Sequence, residues 1–137
     1  MLNQAYVGRS LPATTPVPVT AESVDRFAAA LGQPGGDRRA PATYLVSVSL
    51  PAIDPLIADP DFGLDFTRVL HREQRFVFER PVVVGDVVGC VPTVESIKVV
   101  AGNELLTVRT EVTASDEPVA TVWTTLFVAA DDTKAQA

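Results

Sequence analysis

Residues 70–88, with the sequence LHREQRFVFERPVVVGDVV, decide the fold of this chain. An amphipathic run that contains Phe76 and Phe78 ends at Pro81, and a second β-branched run surrounds the dipeptide Gly85-Asp86. Alternating apolar and polar residues predict a strand, the proline limits it to an edge or an end, and Gly-Asp is typical of a tight turn. The stretch therefore predicts two strands joined by a turn.

The alternation continues beyond this stretch. It predicts strands over about 68–80, 86–100, 104–114 and 118–129, with hairpin turns at 101–104 and 115–118. Each strand follows the previous one closely, as in an antiparallel meander. The second half of the chain therefore predicts one antiparallel sheet.

The first half predicts a lead-in and a short helix. Residues 1–19 are rich in proline and predict an extended segment, whereas Thr20 is a suitable N-cap residue. Val24, Phe27, Ala28 and Leu31 then recur with helical spacing, up to a stop at Gly32. Helices before a meander indicate an α+β domain, which we expect to span 1–130, with a disordered tail over 131–137.

Residues 40–60, APATYLVSVSLPAIDPLIADP, leave two interpretations open. The alternation around Val46 and Val48 suits a strand, whereas apolar residues nearly all round suit a buried helix. Pro51 and Pro55 should end or kink such a helix.

Composition excludes several classes of function. Eleven Lys and Arg residues stand against seventeen Asp and Glu, a net charge of −6, which argues against nucleic acid or anionic membranes as partners. No apolar window approaches the roughly 20 residues of a membrane span, and no signal peptide is recognisable, so we expect a cytoplasmic protein. One His and one Cys, Cys90, cannot form a disulfide or the usual metal site, so we expect no metal and no cofactor.

The segment from Phe78 to Asp86 resembles the F-x-x-P-x-x-x-G-D signature of MaoC-like hot-dog dehydratases. The resemblance runs from about Val7 to Val128, and it is strongest to the accessory, N-terminal type, such as the non-catalytic subunit of (3R)-hydroxyacyl-thioester dehydratases. It implies a hot-dog fold, a curved antiparallel sheet wrapped around a central apolar helix. It also implies pairing with a second hot-dog subunit, as a heterodimer or, for the chain alone, a homodimer.

The resemblance also implies a chemistry, the reversible addition of water to a trans-2-enoyl thioester. The family uses an Asp and a His in a D-x-x-x-x-H loop before the central helix. Here the matching loop, GQPGGDRRAP at 32–41, contains Asp37 but no histidine. The resemblance therefore implies an accessory subunit whose partner supplies the catalytic pair.

Substrate binding does not require that pair. In the family, a backbone N–H at the start of the central helix binds the thioester carbonyl, which here implies Ala42 and Thr43. Arg38 and Arg39 are candidates for the phosphates of CoA or of a carrier protein's phosphopantetheine arm, although a solvated loop pair is the simpler interpretation.

Two residues are outside candidates for catalysis, His71 and Asp54. His71 is the only histidine and lies in the first long strand; Asp54 lies in the apolar segment. An independent dehydratase rebuilt around His71 is therefore one alternative, and a homodimeric acyl thioesterase with Asp54 as base is another. A non-enzymatic acyl-thioester-binding protein is the third.

Overall fold

The strands that alternation predicts form a single antiparallel sheet. The computed structural model describes residues 1–130, and its strand order is β1-β3-β4-β5-β2. The strands are β1 (Val17–Pro18), β2 (Val69–Phe78), β3 (Val87–Val100), β4 (Asn103–Ala114) and β5 (Glu117–Val128). The four long strands begin and end within two residues of the predicted bounds. The predicted tail, 131–137, lies outside the described residues.

Both hairpin turns have the conformation that right-handed sheet twist favours. Ala101 and Gly102 join β3 to β4 with φ of 52° and 81°, and Ser115 and Asp116 join β4 to β5 with φ of 50° and 66°. Two consecutive positive φ values are the mark of a type I′ turn, which sets the register of the flanking strands.

The lead-in closes one edge of the sheet. Gly8 N–H donates to the Val94 carbonyl at 2.8 Å, and Leu11 N–H donates to the Pro92 carbonyl at 2.8 Å. Pro92 is tolerated within β3 because its nitrogen, which cannot donate, is on the side of the lead-in and not of β4. Residues 8–18, which include β1, thus lie along the outer edge of β3.

The first helix, α1 (Ala21–Ala30), begins where the sequence predicts. Thr20 Oγ1 accepts a hydrogen bond from Ser23 N–H at 3.1 Å, and Ser23 Oγ accepts one from Thr20 N–H at 3.2 Å. This reciprocal capping box satisfies two N–H groups at the helix start. Within residues 1–130, no helix is long and apolar enough to cross a membrane.

The ambiguous segment is helical, but the expected central helix is not continuous. It consists of α2 (Val46–Ser49), a 3₁₀ turn (Pro51–Ile53) and α3 (Asp54–Ile57). Pro51 and Pro55 lack the N–H groups that a continuous helix would need, which explains the interruptions. The sheet curls around this segment, so the hot-dog architecture is confirmed.

The core consists of two apolar clusters on the inner face of the sheet. Tyr44 and Leu45 belong to the first, and Ile53 and Leu56 to the second. Between them, buried Thr110 and Thr124 lie on β4 and β5, and Thr124 Oγ1 donates to Gln74 Oε1 on β2 at 3.1 Å. A polar row therefore divides the core beneath the helical segment.

Candidate functional site

The loop before the helical segment is fixed against the chain that follows β2. Val84 N–H donates to the Arg38 carbonyl and Ala40 N–H donates to the Val82 carbonyl, both at 2.8 Å. These bonds place Arg38, Arg39 and the start of the helical segment beside residues 82–84, the centre of the sequence signature.

An ion pair braces the same region. The Asp86 carboxylate accepts hydrogen bonds from both terminal nitrogens of Arg80, at 2.8 and 3.0 Å, and from Val83 N–H at 2.9 Å. These interactions, first of all the hydrogen bonds from Arg80, hold the pKa of Asp86 below its usual range. Gly85 has a φ of 102°, which other residues rarely adopt, so Gly-Asp has a structural role here.

The first cavity lies at the start of the helical segment and has a volume of about 420 Å³. Arg39, Ala42, Phe78 and Arg80 border it. Ala42 and Thr43 are exposed, and neither of their N–H groups donates a hydrogen bond within residues 1–130. Ala42, two arginines and the Phe78 ring therefore meet at this cavity, whereas Thr43 is not among the residues that line it.

Arg38 is separate from this cavity. It is not among the lining residues, and its guanidinium faces the Val84 carbonyl at 3.4 Å. Asp37 accepts a hydrogen bond from Arg39 N–H at 2.9 Å, which is a turn interaction within the loop. Of the two arginines singled out from the sequence, the structure brings only Arg39 to the cavity.

A second, larger cavity of about 580 Å³ lies along the helical segment, between it and β2. Its walls are mainly apolar, with Leu50, Ile57 and Val69 among them. Asp54 and His71, seventeen positions apart in the sequence, both border it. The structure thus brings the two outside candidates to one cavity, and neither Ala42 nor Thr43 lines it.

A β-bulge determines that His71 faces this cavity. On β5, Leu126 pairs with His71 and Thr125 pairs with Glu73, so Arg72 is the extra residue. Without the bulge, strict alternation from inward-facing Gln74 would turn Arg72 inward and His71 outward. Bulges often change the direction of side chains near functional sites. No local sequence signal predicts the bulge at Arg72.

β2 is an open edge of the sheet. Its only strand partner in the described part of the chain is β5. Leu70, Val77 and Phe78 on this strand are 66%, 50% and 37% exposed, and nearby Phe66 is 62% exposed. Unpaired backbone groups next to exposed apolar side chains form a surface suited to strand addition.

Comparisons with known proteins agree with this architecture. Residues 5–122 match the family described as FAS1-like, dehydratase domain region. A UPF0336 protein of Streptomyces coelicolor is 38% identical over 94% of this chain and 96% of its own length.

Two solved structures are similar in fold. The HadBC (3R-hydroxyacyl-ACP dehydratase) complex from Mycobacterium tuberculosis is 22% identical, with a TM-score of 0.77 over 89% of this chain and 96% of that chain. A MaoC-like dehydratase is 25% identical, with a TM-score of 0.79 over 94% of this chain but 44% of that chain. The fold, the family match and the full-length relatives together show that this chain belongs to the FAS1-like dehydratase-region family, as a UPF0336 protein with the MaoC-like hot-dog fold.

Proposed function

We propose that this chain is an accessory subunit of a (3R)-hydroxyacyl-thioester dehydratase or enoyl-thioester hydratase. The observation that carries the proposal is the position of its single histidine. General acid–base catalysis needs a titratable group within hydrogen-bond reach of the reacting atoms. His71 borders the larger cavity, whose lining does not include Ala42 or Thr43, and the loop that precedes these two residues contains no histidine. The catalytic Asp and His therefore come from a partner.

The first cavity supports a binding role for the thioester. Ala42 lines this cavity, and neither its N–H group nor that of the next residue, Thr43, donates a hydrogen bond within residues 1–130. Both groups are therefore available to a thioester carbonyl, and such donors act whatever the side chain. Arg39 and Arg80 border the same cavity and offer positive charge to a phosphate of CoA or of a carrier protein's phosphopantetheine arm. Because Asp86 already pairs with Arg80, Arg39 is the better candidate, with Arg38 nearby in the loop.

The sheet supports a second hot-dog subunit as the partner. The lead-in already covers β3, so the remaining free edge is β2, which borders both cavities through Phe78 and His71. A partner strand added to β2 would pair its backbone groups and cover Leu70 and Val77. The HadBC structure is of a complex, and the MaoC-like dehydratase is more than twice as long as the part that this chain matches. Both are consistent with hot-dog units that work in pairs.

The test is hydration of a trans-2-enoyl-CoA, followed by loss of the enoyl absorbance. It uses this chain alone, the hot-dog protein encoded beside it alone, and the two mixed. We expect full activity only in the mixture, and none when the partner's dyad histidine is replaced with Ala. Full activity of this chain alone, abolished by His71→Ala, would refute the accessory role and favour the rebuilt dehydratase.

One observation favours a second function, a homodimeric acyl thioesterase. Asp54 is exposed and borders the larger cavity, so a carboxylate is available to activate water there. Release of free thiol from an acyl-CoA by this chain alone, lost in Asp54→Asn, would establish that function. Binding of acyl-CoA without hydration or thiol release would instead indicate a non-enzymatic acyl-thioester-binding protein.

A further inference from the structure

The larger cavity combines an apolar wall with a small polar group of side chains. Leu50, Ile53, Ile57, Val69 and Leu126 provide the apolar surface. Ser47, Asp54 and His71 are the polar side chains that border it. A few polar groups in an otherwise apolar site are what fix the orientation and identity of a ligand.

Strand β2 gives the distance between the two cavities, because Phe78 borders the first and His71 borders the second. Phe78 and His71 are separated on β2 by six regular strand steps, because the bulge takes up one, or about 20 Å. With C–C bonds of about 1.5 Å in a zigzag, this span corresponds to roughly 16 carbons.

The chemistry of the polar pair restricts the ligand. A carboxylate only accepts hydrogen bonds, whereas an imidazole offers at least one N–H donor. A plain alkyl chain would displace water from both groups without replacing its hydrogen bonds, which costs free energy. A hydroxyl group can donate to the Asp54 carboxylate and accept from the His71 imidazole, so it matches both groups. A carbonyl or a carboxylate only accepts hydrogen bonds and leaves Asp54 without a donor.

On the basis of the proposed function, we propose that this cavity binds the distal part of a long acyl chain that carries a hydroxyl group, with Asp54 and His71 as its hydrogen-bond partners. The bulge at Arg72 is part of this site, since it places the histidine and not the arginine against the cavity. The chain thereby selects the acyl substituent, while its partner performs the hydration.

The test compares ω-hydroxyhexadecanoyl-CoA with hexadecanoyl-CoA, below their micellar concentrations, by titration calorimetry. The full-length chain is used alone and with its partner. We expect the hydroxylated ligand to bind about tenfold more tightly, the ratio that one hydrogen bond to a charged group gives. That preference should fall below about twofold in His71→Phe and in Asp54→Ala. Glu73→Gln, on the same strand but on the outer face, should keep it.

The outcomes separate this inference from the proposed function. Equal affinity of the wild type for both ligands, a measurement that needs no variant, would overturn the inference and leave the accessory role intact. A preference that survives in both variants would also overturn it. If His71→Phe and Asp54→Ala weakened binding of CoA without an acyl chain, the pair would serve the amides of the pantetheine arm and the inference would be wrong. If neither acyl-CoA bound in any combination, both the inference and the proposed function would fail.

Discussion

Replacing Asp86 with Asn tests whether the signature Gly-Asp is structural. The substitution preserves the size of the side chain and an oxygen that can accept from Val83 N–H. It removes the negative charge and turns an NH₂ group towards Arg80, which has two hydrogen bonds to the carboxylate in the wild type. We therefore expect a loss of stability with little change in fold.

The magnitude follows from the exposure of the pair. The side chains of Arg80 and Asp86 are 34% and 13% exposed. A fully exposed pair contributes only about 0–1 kcal/mol, whereas breaking a buried one costs about 3–5 kcal/mol. For this intermediate case we expect the free energy of unfolding to fall by about 2 kcal/mol. For a chain of this length that corresponds to roughly 7 °C in the thermal midpoint.

Urea unfolding of the wild type, Asp86→Asn, Arg80→Gln and the double variant measures the coupling directly. Because the pKa of Asp86 is lowered in the folded state, its contribution is present above the ordinary carboxyl pKa of about 3.9 and is lost as the pH falls below it. The difference between wild type and Asp86→Asn should therefore be largest above about pH 5 and shrink towards pH 3. Asp61→Asn, at an exposed loop position, is the control and should change neither the free energy of unfolding nor its dependence on pH. A difference below about 0.5 kcal/mol, or one independent of pH, would refute the reasoning.

Three further predictions concern the core and the open edge. Thr110 is fully buried and its hydroxyl has no hydrogen-bond partner within residues 1–130, so Thr110→Val should leave the urea midpoint unchanged or raise it. A fall of more than about 1 kcal/mol in the free energy of unfolding would contradict this and indicate a bound water. Burial raises the pKa of the Cys90 thiol to about 11. At pH 8 the folded protein should therefore react with a disulfide reagent on the order of a hundredfold more slowly than the urea-unfolded chain, and equal rates would contradict the burial. Val77→Lys places a charge on the exposed edge strand, so it should weaken association with the hot-dog partner more than tenfold, as measured by sedimentation or calorimetry. The thermal midpoint of the chain alone should stay within about 2 °C of the wild type. Unchanged association would exclude β2 as the interface.

The elements that the sequence predicts well are those with local causes. Thr20 caps α1 because its hydroxyl reaches the N–H of Ser23, a contact three residues away. The strands follow from alternation, and Leu106 and Val108 are indeed buried on the inner face. The interruptions of the central segment follow from Pro51 and Pro55, since each removes a backbone donor at a known position.

Features that depend on distant contacts were not predictable in the same way. The lead-in reads only as extended chain, and its pairing with β3 joins Gly8 to Val94. The position of His71 is the clearest case, because a single extra residue, Arg72, reverses which side chains face the cavity. Asp54 and His71 border the same cavity only because the helical segment packs against β2. The spacing of the two residues in the sequence gives no information about that packing.

The two edges of the sheet differ in a way that bears on function. The β3 edge is covered by the chain itself, through residues 8–18. β2 is ten residues long, has its bulge near one end, and exposes Leu70, Val77 and Phe78. An uncovered edge of this length favours unwanted strand pairing, and proteins usually protect such edges. Both cavities border this strand, and covering it with a second sheet would also enclose them. A second hot-dog subunit on β2, as proposed above, would therefore protect the edge and close both cavities with one interface, whether that subunit is a different protein or a second copy of this chain.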